Sequence, residues 1–512
     1  MALKKLTKEN MDDLTGKQIC LFEKSVSYLE ELCNRYDVLA AIAYIVDTNE
    51  RNQGSFVFRG KMLEVCGLSC LTQIDFHQTV IVIISDYYKE AYAKIMDALE
   101  MANPDADVFY FANRETEYEE SYRARYQNEP LENLIVFRSG PHASSYIEGT
   151  DFYDNARALF EYMLQCGCNK KYELVWLVKY PEQYQEYAAY ENVKFLSFDW
   201  SVSKVEKERA EYYRVLCLAK YLFFTDAYGF ARNCRKDQIR VQLWHGCGFK
   251  TRVNFVRCEK RYEYTTVISE VYSKIHQDIY GLRADQILVT GYAKQDWLFE
   301  GLDDEKWRWL QVPDDNKCVF WLPTFRTAAG SLQILNERQT ESETGLPIVD
   351  TLNKLIRLNE LLEQRKLALL IKQHPFQDKP TVTCENLSHI ILLDNHELFV
   401  RDIQINQLLC KADALISDYS SVAVDYMLLD RPIAFTLDDV EEYAASRGFV
   451  FDPVKDWLPG KEVYTFEQLC GFLEEVAAGE DSTKDKRRVL TGKMHKYHDG
   501  NSCRRILEAL KV

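Results

Sequence analysis

Short apolar runs alternate with amphipathic stretches along almost the whole chain, which is typical of an α/β protein with parallel sheets. The apolar runs are rich in β-branched and aromatic residues and predict strands. The clearest of these cover residues 18–22, 79–85, 172–180, 220–226, 240–246, 318–325, 367–375 and 414–420. Between them, helical spacing is plainest over 351–366. Its apolar face is predicted to carry Leu352, Leu355, Leu358 and Leu362.

The pattern predicts three domains: a small Rossmann-like α/β domain over residues 1–130, a second Rossmann-like domain over 131–303 and a third over 304–512. A charged stretch over 299–317 is predicted to link the last two. The first strand-to-helix turn, LFEKSVSY, contains no glycine, whereas a bound dinucleotide needs a glycine-rich turn there. For the first domain we therefore expect a scaffold or docking role, which the residues do not specify.

Composition narrows the class of protein. The formal net charge of −16 argues against general nucleic-acid binding. No apolar run approaches the roughly 18 residues that span a bilayer, and the N-terminus lacks the apolar core of a signal peptide, so we expect a cytoplasmic location. The 15 cysteines are scattered without a C-x-x-C pair, which favours reduced thiols. Two basic runs, 232–240 and 250–261, oppose the overall charge and suggest a local anion site.

Chemically capable side chains fall where predicted strands end. His245 follows the strand IRVQL within WHG, and Gly246 permits a tight turn directly after it. Imidazole has a pKa near neutrality, so His245 could act as a general base, although a structural role stays open here. In KQHP, Lys372 and His374 share one face of a strand end, which suits an anionic ligand. Arg326, in PTFR, would add a cation able to bind phosphate.

The stretch DYSSVAVDY follows a buried-strand pattern and opens a helix. Ser420 and Ser421 fall at N-cap positions, where unpaired backbone N–H groups and the helix dipole favour phosphate. Asp425 lies about one turn further and could accept hydrogen bonds from ribose hydroxyls. Each feature alone also fits an ordinary strand or helix end; their joint occurrence at strand ends favours a site. There is no P-loop, and the histidines lack metal-ligand spacing, so we expect neither a metal nor a cofactor.

From about residue 134 to the C-terminus, the chain resembles the CDP-glycerol glycerophosphotransferase family, the teichoic-acid polymerases and primases of bacterial cell walls. The residues that carry this resemblance are DNARALFEYM, WHG followed by Lys250, GYAKQD, PTFR, KQHP, RGF, YHDGNSCRR and ISDYSSVAVDYMLLDRPIAFTLDDVEEY. The resemblance implies a GT-B fold, in which two Rossmann-like halves face each other across the active site.

The resemblance implies transfer of glycerol phosphate, or a related polyol phosphate, from a CDP-polyol to a hydroxyl of a teichoic-acid-like, capsular or lipid-linked glycan acceptor, with release of CMP. The CDP-polyol would be a substrate, not a cofactor. His245 would be the base, His374 would contact the pyrophosphate, and Ser420 and Ser421 would bind phosphate. Gly246, Lys250, Arg326, Lys372 and Asp425 complete the predicted substrate-binding set.

Several alternatives stay open at this point. The donor could be CDP-glycerol or CDP-ribitol; the chain could be a GT-B glycosyltransferase using a nucleotide sugar, or a non-catalytic glycan-binding protein. The resembled family usually has arginine and asparagine where this chain has Lys294 and Gln295, and small or apolar residues often follow WHG where this chain has Cys247 and Gly248. These departures bear on the acceptor more than on the reaction. Lipid-linked acceptors also imply peripheral contact with the inner face of the cell membrane, for which the basic run over 250–261 is a candidate.

Overall fold

The computed structural model describes residues 3–49, 52–99, 108–140, 149–226, 230, 234–251, 261–323, 342–372, 387–446 and 448–512. The chain divides into two compact units. The first is built mainly from residues 1–131 and Ser197–Leu218, and the second from Glu132–Leu196, Ala219–Phe230 and Lys236–Val512.

The first unit is a Rossmann-like sheet of seven strands in the order β1-β7-β6-β2-β3-β5-β4. Its strands are β1 (Leu3–Lys5), β2 (Gln18–Phe22), β3 (Ile42–Val46), β4 (Gly54–Phe58), β5 (Lys61–Cys66), β6 (Thr79–Ile83) and β7 (Val108–Tyr110). β4 pairs antiparallel with β5, and the other pairs are parallel. Its helices are α1 (Val26–Tyr36), α2 (Tyr88–Leu99), α3 (Arg114–Tyr126) and α6 (Glu206–Leu218). The predicted strand over 18–22 is confirmed by β2.

Helix α3 forms in a charged stretch whose apolar pattern is too weak to predict a helix. Asn113 caps it by accepting a hydrogen bond from the Thr116 N–H at 2.8 Å. Its few apolar positions pack on α6, where the Tyr122 and Tyr213 rings stack with centroids 4.9 Å apart. Helix α6 therefore belongs to the first unit, although it lies within the range predicted for the second domain. The boundaries at residues 130 and 303 stay predictions.

The second unit contains two parallel sheets. The first has the order β10-β9-β8-β11-β12-β13-β14. Its strands are β8 (Glu132–Ser139), β9 (Glu173–Val178), β10 (Val193–Ser197), β11 (Ala219–Thr225), β12 (Ile239–Gln242), β13 (Tyr264–Val267) and β14 (Ile287–Val289). The other has the order β17-β16-β15-β18-β19-β20. Its strands are β15 (Lys317–Trp321), β16 (Leu367–Ile371), β17 (Ile390–Leu392), β18 (Ala414–Ser417), β19 (Ile433–Thr436) and β20 (Lys461–Val463). We call these sheets, with their helices, the β8–β14 half and the β15–β20 half.

Helices flank both sheets. Those of the β8–β14 half are α4 (Asp154–Gln165), α5 (Gln185–Ala188), α7 (Glu270–Tyr280) and α8 (Trp297–Glu300). From the predicted linker onward the chain forms α9 (Asp304–Arg308), α10 (Leu352–Gln364), α11 (Asn395–Val400), α12 (Ile405–Leu409), α13 (Ser421–Tyr426), α14 (Val440–Ser446), α15 (Phe466–Ala478), α16 (Lys484–Met494) and α17 (Ser502–Leu510). Within the described residues, no helix is both long and apolar enough to cross a membrane.

The core of the β8–β14 half is aromatic. Trp176 is fully buried, stacks on Phe137 with centroids 5.3 Å apart and meets Phe152 edge-on at 4.6 Å. The C-terminal helix α17 returns to this core. It contributes the buried side chains Cys503, Ile506, Leu507 and Leu510. The Asp296 carboxylate accepts from the first two N–H groups of α17, both at 2.8 Å, which anchors the start of the helix.

The core of the β15–β20 half follows the predicted pattern with one difference. Every residue of β16 is buried, as expected for a central parallel strand. Thr351 caps α10 by accepting from the Lys354 N–H at 3.3 Å. Leu355, Leu358 and Leu362 are buried. Leu352, the first residue of α10, is 49% exposed, so the buried part of the predicted apolar face consists of the other three leucines.

Candidate active site

His245 lies on a tight turn just after β12. Trp244 and Gly246 both have positive φ, 60° and 154°, which bends the chain sharply at the strand end. The turn is fixed by side chains: Gln242 Oε1 accepts from the Trp244 N–H at 3.1 Å, and Asn155 Nδ2 donates to the Trp244 carbonyl at 2.9 Å. The imidazole is left 47% exposed. His245 is therefore presented at the carboxyl edge of the sheet, as predicted.

Asp226 orients the imidazole. It directly follows β11, the parallel neighbour of β12, and its Oδ1 lies 2.6 Å from His245 Nδ1. Tyr153 Oη donates to the other carboxylate oxygen at 3.3 Å. A carboxylate can only accept, so Nδ1 carries the proton and Nε2 carries the lone pair. Burial works to lower the pKa of His245, but the charge and hydrogen bond of Asp226, together with Asp154, raise it above its usual value.

The same pairing lowers the pKa of the Asp226 carboxyl group, whereas it raises the pKa of His245. Burial works to raise the pKa of Asp226, yet the His245 charge and hydrogen bond, helped by Tyr153 and Lys294, hold it below its usual value. Sequence reasoning missed Asp226. It closes the predicted strand over 220–226, and only the pairing of β11 with β12 identifies it as a partner of His245.

A buried charge network lies behind the His245 turn. Lys294 Nζ donates to the His245 carbonyl and lies 3.0 Å from Asp154 Oδ2 and 3.6 Å from Asp425 Oδ2. The neighbouring Gln295 Nε2 donates to Asp425 Oδ1 at 2.7 Å. Lys294 and Gln295 belong to the β8–β14 half and Asp425 to α13 of the other half. The network therefore joins the two halves beside the imidazole.

This placement corrects the interpretation of Asp425. The sequence suggested a ribose contact, but the carboxylate is only 2% exposed and is used by Gln295 and Lys294. Burial raises the pKa of Asp425 above its usual value, although Lys294 and the Gln295 hydrogen bond work in the opposite direction. The buried Asp425 carboxylate therefore links the two halves of the second unit, and its position does not support a direct contact with substrate.

The predicted phosphate cradle lies against the His245 turn. Ser420 is the N-cap of α13 and Ser421 its first residue, and both are half-buried. A Cβ on Gly246 would lie 2.6 Å from Ser421 Oγ, and a Cβ on Gly248 would lie 3.3 Å from Ser421 Cα. Only glycines allow so close an approach, so Gly246 places the backbone next to His245 in contact with the start of α13.

Lys250 continues the contact between halves. It forms an antiparallel bridge with Phe449, flanked by hydrogen bonds from the Thr251 N–H to the Gly448 carbonyl at 3.2 Å and from the Val450 N–H to the Phe249 carbonyl at 2.8 Å. Its Nζ lies 5.8 Å from the Tyr443 ring centroid. The backbone of this segment therefore joins the halves, and a substrate contact of the Lys250 ammonium stays a prediction.

Lys372 lines a cavity of about 500 Å³ between the two halves. Burial lowers the pKa of Lys372 to about 8, and Asp394 only partly offsets this. The cavity walls combine aromatic rings, amides and charged groups. Among them are Phe152, Tyr153, Tyr184, Tyr187, Trp297, Phe399, Gln404, Asn406 and the buried Arg157. Such a lining suits a ligand with a flat apolar part, hydroxyls and an anionic group. His374 and Arg326 lie outside the described residues.

Cys247 does not face the cleft. Its side chain is buried, with Sγ 2.9 Å from the Tyr292 hydroxyl oxygen and 3.8 Å from His276 Nε2. Burial raises the pKa of the thiol to about 12, so it stays protonated near neutral pH. The expectation that Cys247 bears on acceptor choice therefore has no support from its position, whereas Gly248 does lie at the contact with Ser421.

Two parallel Rossmann-like sheets, with a histidine at a strand end of one and a serine-bearing helix start on the other, define a GT-B protein. The chain belongs to the CDP-Glycerol:Poly(glycerophosphate) glycerophosphotransferase family, which matches residues 121–511. The fold agrees with that of the Wall Teichoic Acid Polymerase TagF, with a TM-score of 0.61 at 19% identity, over 83% of this chain and 97% of the other. One TagF structure is of a histidine-to-asparagine variant with CDPG.

Related sequences include three proteins of Staphylococcus aureus. The teichoic acid ribitol-phosphate polymerase TarK is 26% identical over 62% of this chain and 63% of its own length. A teichoic acid glycerol-phosphate transferase is 24% identical over 74% of this chain and 93% of its own. The match to a second ribitol-phosphate polymerase, TarL, spans 53% of that protein. The chain thus matches less than two thirds of the length of both ribitol-phosphate polymerases.

Proposed function

We propose that this protein transfers glycerol phosphate or ribitol phosphate from the CDP-polyol to a hydroxyl of a teichoic-acid-like or lipid-linked glycan acceptor and releases CMP. The observation that carries the proposal is the His245–Asp226 pair beside the start of α13. It combines an oriented base with a helix start suited to phosphate. Membership of the glycerophosphotransferase family and the named activities of the relatives support the same reaction.

In the proposed step, the acceptor hydroxyl oxygen attacks the phosphorus that bears the polyol. His245 Nε2 takes the hydroxyl proton, and Asp226 stabilises the imidazolium that forms. The new bond is between the acceptor oxygen and phosphorus. The bond that breaks joins this phosphorus to the bridging oxygen of the pyrophosphate, and its electron pair leaves with CMP. Charge on the transferred phosphoryl oxygens must be neutralised for this reaction to be fast.

The donor phosphates are assigned to the β15–β20 half. The Ser420 and Ser421 hydroxyls and the N–H groups at the start of α13 supply hydrogen bonds, and the Lys372 ammonium supplies charge. The cavity beside Lys372 is large enough for a nucleoside. His374 and Arg326, which follow β16 and β15 along the chain, are proposed to complete the set at the pyrophosphate.

The test is nucleotide release across a panel of CDP-glycerol, CDP-ribitol and UDP-sugars with a teichoic-acid acceptor. We expect CMP from at least one CDP-polyol and only background UDP from the sugars, whereas a GT-B glycosyltransferase would give the reverse. His245→Ala should abolish CMP release. His77→Ala, the same change at an exposed histidine of the first unit, is the control and should leave it intact. Unchanged release in His245→Ala would refute the assignment of the base.

We also propose that the protein acts at the inner face of the cell membrane, because a lipid-linked acceptor is held there. The basic run over 250–261 is the candidate contact with anionic lipid or anionic polymer. Co-sedimentation with phosphatidylglycerol vesicles at low salt, lost at high salt, is the expected result. A chain that stays in the supernatant at low salt would count against membrane attachment.

A further inference from the structure

The turn after β14 reaches across to the opposite half. Lys294 and Gln295 are buried at the end of a short 3₁₀ helix, Ala293–Gln295. Gln295 Oε1 accepts from the Tyr292 N–H at 3.1 Å, which fixes the amide so that Nε2 points to Asp425 Oδ1 at 2.7 Å. The Lys294 ammonium adds an ion pair to Asp425 Oδ2 at 3.6 Å.

The same turn also holds the His245 turn from behind. Lys294 Nζ donates to the His245 carbonyl, and the Lys294 N–H donates to Asn155 Oδ1 at 3.0 Å. Asn155 Nδ2 in turn donates to the carbonyls of Leu243 and Trp244 at 3.2 and 2.9 Å. Three consecutive carbonyls of the turn are therefore bound by the Lys294–Asn155 pair.

These contacts connect the His245 turn to the start of α13 by two routes, one through Asp425 and one through Ser421. Asp425 lies one helical turn after Ser421, and Ser421 packs against Gly246 beside His245. One ammonium, Lys294, faces two carboxylates, the buried Asp425 and the half-buried Asp154. Buried charges are costly without their partners, so this arrangement is stable only when the two halves meet in this register.

We propose that Gln295 and Lys294 are positioning residues, which hold the His245 turn in register with the start of α13 by binding Asp425. The Gln295 side chain is committed to Tyr292 and Asp425. Lys294 also lines the cavity, but its ammonium is committed to the His245 carbonyl and to Asp154 and Asp425. Their effect is on the distance and angle between the base and the phosphate to be attacked, to which reaction rates are highly sensitive. This inference rests on the proposed function for its kinetic consequence, while the contact itself can be tested without activity.

The test reverses the hydrogen bond between Gln295 and Asp425. Gln295→Glu alone places two carboxylates against each other across the halves. Asp425→Asn alone keeps an acceptor for the Gln295 amide but removes a charge. In the double variant, the amide introduced at position 425 would donate to the carboxylate introduced at position 295. The bond then returns with its direction reversed and the net charge unchanged.

We expect kcat for CMP release to fall by about 10-fold to 100-fold in Gln295→Glu and by less in Asp425→Asn. Adding Asp425→Asn to Gln295→Glu should restore kcat to within about 5-fold of the unmodified chain. KM for the CDP-polyol should change little, because Ser420, Ser421 and Lys372 are retained. The control is Glu270→Gln, which removes an exposed ion pair to Lys496 at 2.6 Å and should change kcat by less than about 2-fold.

Hydrogen exchange provides a readout that needs no activity. Gln295→Glu should speed exchange in residues 243–249 and in α13, and the double variant should restore protection in both. If the unmodified chain released no CMP, the proposed function would fail while exchange still tested the contact. A double variant as impaired as Gln295→Glu, or a Gln295→Glu variant with normal kcat and exchange, would overturn the positioning role.

Discussion

The substitution Asp226→Asn isolates the charge behind His245. The asparagine amide oxygen can still accept from Nδ1–H, so the geometry is kept and only the negative charge is removed. A hydrogen bond to a charged group contributes about 1.5–3 kcal/mol, against about 1 for a neutral pair. Solvent screens the pair, because the two side chains are 47% and 28% exposed. A net loss of about 1–2 kcal/mol is therefore expected, which is about a 5-fold to 30-fold fall in kcat.

The pH dependence of kcat/KM provides a second test of the role of Asp226. The carboxylate raises the pKa of His245, so its removal should lower that pKa and move the acidic limb of kcat/KM to lower pH. The assay is CMP release between about pH 5.5 and pH 9, which spans the titration of imidazole. Asp12→Asn, at an exposed carboxylate of the first unit, is the matched control. A plateau within about 2-fold of the unmodified enzyme, or a limb that moved to higher pH, would refute the role given to Asp226.

Three further predictions follow from the same geometry. Because the pKa of Lys372 is about 8, KM for the CDP-polyol should rise as pH passes that value, and Lys372→Arg should remove the rise in steady-state assays. Gly246→Ala should lower kcat by about 10-fold or more through contact with the start of α13, whereas Gly492→Ala, in open space on α16, should leave it unchanged. The fully buried Arg487 guanidinium pairs with Asp430 and Asp481, so Arg487→Met should lower the free energy of unfolding measured in urea by about 3–5 kcal/mol. Arg488 is 59% exposed and also pairs with Asp430, so Arg488→Met should lower it by less than about 1 kcal/mol.

Local pattern was enough to predict many of the strands and helix α10, but not helix α3 in its charged stretch. The strand over 18–22 and the helix over 351–366 form where the apolar spacing indicated. His245, Lys372 and Ser420 all lie at strand ends or helix starts, because a buried strand followed by glycine, proline or a capping residue has few other ways to end.

Contacts between distant segments could not be predicted in this way. From the sequence alone, Asp226 is one of many aspartates that follow a strand. Only the pairing of β11 with β12 shows that it lies beside His245. Asp425 looked available at a helix start, but its carboxylate is taken by Gln295, 130 residues earlier in the chain. Helix α17 returns to the β8–β14 core because its apolar face fits there, which periodicity alone does not reveal. The types of residue at the candidate site could thus be predicted from the sequence, whereas the partners that these residues contact could not.

The most direct test of the central claim is the stoichiometry of the reaction with the unmodified protein. CMP release would be measured alongside the mass of the acceptor, with CDP-glycerol and CDP-ribitol supplied separately. One CMP for each glycerol phosphate or ribitol phosphate added to the acceptor is the predicted result. UDP release from a UDP-sugar, with a sugar added to the acceptor and no CMP from either CDP-polyol, would contradict it.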